Sequence, residues 1–223
     1  MPAVEISPYI TSGVKRKLDV CISGALLAVG GPLERGAINY LRGVLDEGED
    51  YFVQPRDSID IVKLRTMNNG RDPDIEGGAR HCDRVPSNAA RIIRLARIDE
   101  IPQLRGVLTG TYSIVSPRPT DDVFNQRCLD VVGIDMFEQW QKVCKSAPVK
   151  PGLTSPAQLA NLKSEVMDDD YYRLQVENDL QYCADASLAL DLKVLAMSVA
   201  GVGALVSRNL FNQVSPQEHE AMA

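Results

Sequence analysis

Ile98-Asp99-Glu100-Ile101-Pro102-Gln103-Leu104-Arg105-Gly106-Val107 places two adjacent carboxylates directly before a helical run that opens with proline. Proline lacks a backbone donor, so it is tolerated in a helix only in the first turn, and it biases the residue before it away from helical geometry. Asp99 and Glu100 are therefore expected at or just outside a helix N-terminus, with Ile101 non-helical. Free backbone N–H groups and the positive end of the helix dipole attract anions there, phosphate as well as carboxylate. An anionic substrate held at that point lies beside a carboxylate able to act as a nucleophile. Read alone, the same residues also fit an ordinary Asp N-cap. Further on, Ser116-Pro117-Arg118-Pro119 fixes one guanidinium between two prolines, and an immobilised fork suits phosphate better than a flexible ammonium.

The chain has 223 residues, enough for one domain with a real core. Its net charge of −6 excludes a general nucleic-acid binder, whose affinity comes from an excess of Lys and Arg. Five cysteines, Cys21, Cys82, Cys128, Cys144 and Cys183, have no paired close spacing, which suggests neither a zinc site nor a disulfide framework and fits a reducing compartment. His81 and His219 sit in polar contexts without a nucleophile pattern and read as incidental.

After Lys15-Arg16-Lys17, residues 18–33 carry Asp19 as their only charge, and Glu34-Arg35 ends the run. Sixteen residues of helix reach roughly 24 Å, short of a hydrocarbon core of about 30 Å. A signal peptide, a buried helix and a re-entrant helix broken at Gly30-Gly31-Pro32 all remain open. Residues 50–67 read as a hairpin, with Tyr51-Phe52-Val53 and Ile59-Asp60-Ile61-Val62 flanking a Pro55-Arg56-Asp57-Ser58 turn. Residues 68–82 read as a loop that is either a lid or simply solvated. Residues 87–97 form an amphipathic helix capped by Ser87 or Asn88, with Arg91, Arg94 and Arg97 on its polar side. Residues 186–206 are a packed or interfacial helix, because charges and glycines interrupt the run, and residues 207–223 are a polar tail.

Five segments taken in order resemble one family. They are Lys63-Leu64-Arg65-Thr66-Met67; Ile98 to Leu104 with Gly106-Val107-Leu108-Thr109-Gly110; Ser113 to Pro119; Lys150-Pro151-Gly152-Leu153-Thr154; and Leu190-Asp191-Leu192-Lys193. Together, from about Lys15 to about Val199, they resemble the bacterial sugar transferases, small monotopic phosphoglycosyl transferases that start glycan assembly on a polyprenol phosphate. The resemblance implies a mixed α/β, helix-rich single catalytic domain with a small β-hairpin and an N-terminal re-entrant or interfacial membrane helix. Its boundaries would be residues 1–45 for the N-terminal segment, 46–206 for the catalytic domain and 207–223 for the tail.

The implied activity is transfer of a sugar phosphate from a UDP-sugar to polyprenol phosphate, beginning exopolysaccharide, capsule, O-antigen or glycoprotein glycan assembly. Asp99 would be the nucleophile and Glu100 its partner, the two holding Mg2+ between them. Arg118, Lys150 and Arg65 would bind substrate phosphate, while Pro102, Gln103, Pro117, Pro119 and Thr154 shape the supporting turns. The implied location is the cytoplasmic leaflet of the inner membrane, with monotopic topology; a homodimer is compatible with the resemblance. The chain departs from the pattern at Glu34, Arg35, Asn39 and Arg42, polar where the family is apolar. It departs again at Ser58, Ser116 and Ser155, where glycine is usual, and at Lys150, where Arg is usual. Those departures favour an alternative, a diverged non-catalytic subunit of a glycan-assembly complex; the intact Asp99–Glu100 pair favours the enzyme.

Overall fold

A computed structural model describes residues 4–57, 59–68, 85–160 and 167–214, with side chains to residue 207. The expected loop at 68–82 lies outside the described residues from 69 onward, as do Ser58, Cys82, His81 and His219; of the expected polar tail at 207–223, residues 207–214 are helical and the rest lies outside the described residues.

The first element is a 30-residue helix, α1 (Gly13–Arg42), capped by Ser12, whose side chain accepts from the Lys15 amide. It continues through Gly30-Gly31-Pro32, where the re-entrant reading placed a break. Pro32 withdraws one donor from the helix ladder, but the turns beyond it are held from the protein side. Glu34 is buried and receives both Arg105 guanidinium nitrogens at 3.0 and 2.8 Å, and Tyr51 donates to it at 3.1 Å. Ala37 and Leu41 add an apolar contact with Leu64, Ala90 and Ile93.

The expected hairpin is present as β1 (Tyr51–Arg56) and β2 (Ile59–Leu64), antiparallel, with Tyr51 opposite Leu64 and Arg56 opposite Ile59. The turn needs a left-handed residue, and Asp57 supplies it at φ 46°. Its carboxylate accepts from the Thr120 amide at 2.9 Å, which tethers the turn. Helix α2 (Asn88–Leu95) is capped by Ser87, and a 3-10 turn (Ile98–Glu100) leads into α3 (Gln103–Thr109).

A second sheet has no counterpart in the sequence reading. Strand β3 (Ser113–Val115) pairs in parallel with β4 (Gly152–Thr154), bringing Ser116-Pro117-Arg118-Pro119 beside the segment after Lys150. Gly152 is obligatory in this pairing, because a Cβ there would overlap the Ser116 carbonyl. Between the strands lie α4 (Asp122–Val132) and α5 (Ile134–Cys144); after β4 come α6 (Pro156–Ala160), α7 (Asp169–Asp185) and α8 (Leu188–Val214). The larger core sits among α4, α5, α7 and β3, around the fully buried Trp140, Val115, Val176 and Cys183. Cys144 and Cys183 are free thiols there, their sulfurs 3.4 Å apart.

Helices α1 and α8 start from one buried ionic knot. Lys15 donates to Asp191 at 2.7 Å and to the Val115 carbonyl at 2.8 Å, and lies 3.5 Å from Asp19. Asp19 in turn accepts from the Ser113 hydroxyl and the Ile114 amide. Of the basic trio at 15–17, Lys15 is therefore a core residue, and Arg16 caps the end of α3 by donating to the Val107 and Leu108 carbonyls. Beyond the knot the exposed faces of both helices are apolar: Leu26, Val29 and Leu33 on α1; Leu192, Met197 and Val199 on α8.

Candidate active site

The run from Ile98 to Arg105 is more helical than expected. Ile101 has φ −53° and ψ −38° despite preceding Pro102, because consecutive turn bonds, Ile101 N–H to Ile98 O and Leu104 N–H to Ile101 O, lock it into the chain of turns. The carboxylates thus sit just before the N-terminus of α3, as expected, but within a 3-10 turn, and both are buried, Asp99 at 7 % exposure and Glu100 at 8 %.

Their surroundings differ sharply. Glu100 Oε1 lies 2.8 Å from Arg118 Nη2, 2.9 Å from Arg97 Nη1 and 3.5 Å from Lys63 Nζ. Burial alone would raise the Glu100 pKa, but Arg118, then Arg97 and Lys63, outweigh it and hold the group well below the usual carboxylate range. Asp99 is pushed up to about 6, first by burial and then by the charge of Glu100, with Lys63, Arg94 and Arg97 opposing. Its Oδ1 is buried without a hydrogen-bond partner. One carboxylate is consumed as a counter-ion; the other is left with an open oxygen.

Several cations were not assigned from sequence. Arg97 leaves α2 in the left-handed region, φ 57°, which turns its guanidinium from the expected solvated face onto Glu100. Arg94 donates to the buried Thr66 hydroxyl at 2.9 Å and acts electrostatically on Asp99. Lys63 stands on β2, and burial pulls its ammonium down from the ordinary value. Gln158 on α6 was missed altogether. Two guanidiniums face its amide, so the oxygen points toward them, 3.0 Å from Arg118 Nη1 and 3.1 Å from Arg97 Nη2. Period-2 alternation within Lys63-Leu64-Arg65 could have nominated Lys63; no local signal marks Gln158.

Of the expected phosphate ligands, Arg118 is in place, completed by a bond to the Leu153 carbonyl at 2.9 Å. Arg65 is not brought to the carboxylates. The strand ends at Leu64, and the guanidinium folds back onto Asp46 and the Glu49 carbonyl. Lys150 is exposed at the far end of α3, beside Gly110 and Arg16, and lines a separate cavity of about 380 Å3 with Lys15 and Arg16. The supporting residues hold their turns: Pro102, Pro117 and Pro119 are buried, and Gln103 is buried with an unpartnered Nε2. The Thr154 hydroxyl lies 2.8 Å from that of Ser198 on α8. Ser155, where glycine is usual, is not left-handed, and its hydroxyl caps α6 by accepting from the Gln158 amide.

A groove of about 420 Å3 opens beside Glu100. Leu26, Val29 and Leu33 of α1 form one wall; Leu195, Val199 and Val202 of α8 form the other. Arg97, Glu100 and Gln158 are at its floor. Among the described residues no three His, Cys, Asp or Glu side chains converge as a metal cluster.

Asp99, with a buried and unpartnered Oδ1, thus stands beside a Glu100 that two guanidiniums and an ammonium hold at the edge of an apolar groove. The bacterial sugar transferase model matches residues 10–204, and the chain belongs to that family. Among its relatives, the UDP-glucose:undecaprenyl-phosphate glucose-1-phosphate transferase of Caulobacter vibrioides is 33% identical over 83% of this chain and 68% of its own length. The Escherichia coli K12 protein of the same description is 26% identical over 89% of this chain and 43% of its own length. The undecaprenyl-phosphate glucose phosphotransferase of Komagataeibacter xylinus is 31% identical over 88% of this chain and 37% of its own length. The chain thus spans two thirds of the first and less than half of the other two.

Proposed function

We propose that this chain transfers a sugar phosphate from a UDP-sugar to a polyprenol phosphate through a covalent intermediate on Asp99. The observation that carries the reading is the buried, unpartnered Asp99 Oδ1 next to a Glu100 already held by three cations. An Asp99 oxygen attacks the sugar-linked phosphorus, the bond to UMP breaks, and UMP leaves with the electron pair. The acceptor's phosphate oxygen then attacks the same phosphorus, the Asp99 O–P bond breaks, and the carboxylate is regenerated. Division into two displacements avoids bringing two polyanions together at once. Arg118 and Arg97, both held on Glu100 Oε1, would supply fixed donors to the migrating phosphoryl charge.

Magnesium fits the site through Asp99 more readily than through Glu100, whose Oε1 is already shared by Arg118, Arg97 and Lys63. One carboxylate together with substrate phosphates and waters suits its octahedral preference, and bound there it would neutralise phosphate charge.

The groove supports an isoprenoid acceptor, since its walls are apolar while its floor carries Arg97 and Glu100. Its walls also bear on the membrane. Leu188–Ser207 is long and apolar enough to cross one by length and composition. Yet Asp191 is fully buried against Lys15, so the start of α8 is anchored in protein. The uncharged stretch after Lys193, to Ser207, is about 21 Å of helix, and that of α1 is similar, both less than a hydrocarbon core. These lengths support insertion into one leaflet without spanning, and the reading places both limbs on the cytoplasmic side.

The case for a non-catalytic relative rested on the polar limb of α1 and the replaced glycines. Glu34 is neutralised by Arg105, Arg42 by Asp50, Asp57 supplies the left-handed turn, and Ser155 caps a helix. Intact mass spectrometry after mixing with magnesium and a panel of UDP-sugars tests the reading. A mass gain of one sugar phosphate on Asp99, with UMP released, is expected; turnover without any adduct in quenched samples would overturn the covalent route.

A further inference from the structure

The two arginines of the site are bridged twice. On one side Glu100 Oε1 accepts from Arg118 Nη2 and Arg97 Nη1, at 2.8 and 2.9 Å. On the other the Gln158 amide faces both guanidiniums, and turned so that its oxygen rather than its nitrogen meets these donors it accepts from Arg118 Nη1 and Arg97 Nη2, at 3.0 and 3.1 Å. The result is a closed ring in which one bridge is an anion and the other is neutral. We infer that Gln158 is a positioning residue that fixes the two guanidiniums in register while leaving the pair the positive charge that a diphosphate needs.

The electrostatics explain why an amide stands there. Four cations, Lys63, Arg94, Arg97 and Arg118, act on the two carboxylates, and a second carboxylate in the ring would halve the surplus of positive charge. An apolar residue would keep the surplus but loosen the clamp at Arg97, which departs from a left-handed backbone position and is otherwise held by Glu100, whereas Arg118 keeps both Glu100 and the Leu153 carbonyl. Gln158 is itself held in place by its backbone N–H bond to Ser155 Oγ, and it lines the groove where an amphiphilic phosphate would lie. Local sequence carries no trace of this role, since α6 is a five-residue helix distant in the chain from both arginines.

This inference rests on the transferase reading for its ligand, a nucleoside diphosphate, but its test does not require turnover. Inorganic pyrophosphate binding to the detergent-solubilised full chain is measured by calorimetry for wild type, Gln158→Glu and Gln158→Met, with thermal unfolding alongside. Gln158→Glu keeps an acceptor for both guanidiniums, so its unfolding temperature is expected to match or exceed wild type, while pyrophosphate binds at least tenfold more weakly. Gln158→Met keeps the charge and loses the acceptor: binding weakens less than in the Glu variant, while kcat with the UDP-sugar falls about tenfold and KM changes little. A loss of less than tenfold in Gln158→Glu, or a loss in Gln158→Met as large as in Gln158→Glu, overturns the inference. Should the Glu variant not fold, binding by Gln158→Met within tenfold of wild type supports it and a larger loss overturns it. If no UDP-sugar releases UMP yet pyrophosphate binding follows the expected order, the transferase reading fails and the clamp stands. If turnover is normal and the order is not seen, only the role of Gln158 fails.

Discussion

Asp99 and Glu100 are chemically similar neighbours with opposite electrostatic fates, and their stability effects should therefore have opposite signs. The folded protein favours protonated Asp99, whose pKa is raised to about 6. That stabilisation is present below the ordinary carboxylate range and is lost as pH rises through about 6, leaving a strained anion at neutral pH. Asp99→Asn should accordingly stabilise the magnesium-free protein by about 2 to 3 kcal/mol at pH 7, and less at pH 4, while abolishing turnover. Urea unfolding at the two pH values in a chelator checks this; a destabilised Asn variant would mean that the anion is well solvated. Glu100 is the reverse case, depressed by Arg118, Arg97 and Lys63, so its contribution is present above the ordinary range and lost as pH falls. Glu100→Gln should cost about 3 kcal/mol because three cations lose their shared partner. Arg118→Lys should lower kcat/KM by about 1 to 3 kcal/mol of barrier, since an ammonium cannot serve Glu100, the Leu153 carbonyl and Gln158 from one rigid fork.

At the scale of elements, two contacts hold the site's frame. The β3–β4 pair requires Gly152, and Gly152→Ala should destabilise by about 3 kcal/mol or more, or prevent folding, because the obstructing atom is a backbone carbonyl that cannot move aside. Limited proteolysis and thermal unfolding would show it; an unperturbed Ala variant would mean the strands do not approach as described. The limb of α1 beyond Pro32 depends on the Glu34–Arg105 pair, buried at the carboxylate and exposed at the guanidinium. Arg105→Ala leaves a buried anion with only the Tyr51 hydroxyl, which should cost about 3 kcal/mol, whereas adding Glu34→Leu should recover most of it. Failure of the double variant to recover would assign Glu34 a role other than ion pairing. Much of this level was legible: the hairpin, the Ser87 cap and the carboxylate turn follow from alternation, capping chemistry and proline. The parallel β3–β4 pair was not, because three-residue strands carry too little pattern and their pairing is made by residues far apart in sequence.

On the scale of the whole molecule, α1 and α8 rise from the Lys15–Asp191 knot as two apolar-faced limbs on either side of the groove. Both limbs should contact lipid. Val29→Lys with Leu33→Lys on α1, and Met197→Lys with Val199→Lys on α8, should each reduce the fraction of protein floating with liposomes by about fivefold, given the cost of a lysine in hydrocarbon. If only the α1 pair has an effect, α8 does not enter the bilayer. Cys21, exposed on α1, should be protected from an impermeant maleimide in membranes and react in detergent.

The sequence by itself determined the carboxylate pair, the rigid Arg118, the hairpin and the family, because each is written in neighbouring residues whose spacing has a local physical meaning. Tertiary structure alone decided which cations serve the pair. Lys63 and Arg65 are two residues apart, yet strand termination sends one to Glu100 and the other to Asp46. Arg97 reaches the site only through a left-handed turn, and Gln158 only through the β3–β4 pairing that carries α6 to the two arginines. Charge–charge distances between separate segments are set by how the core packs, and no local period or spacing encodes them.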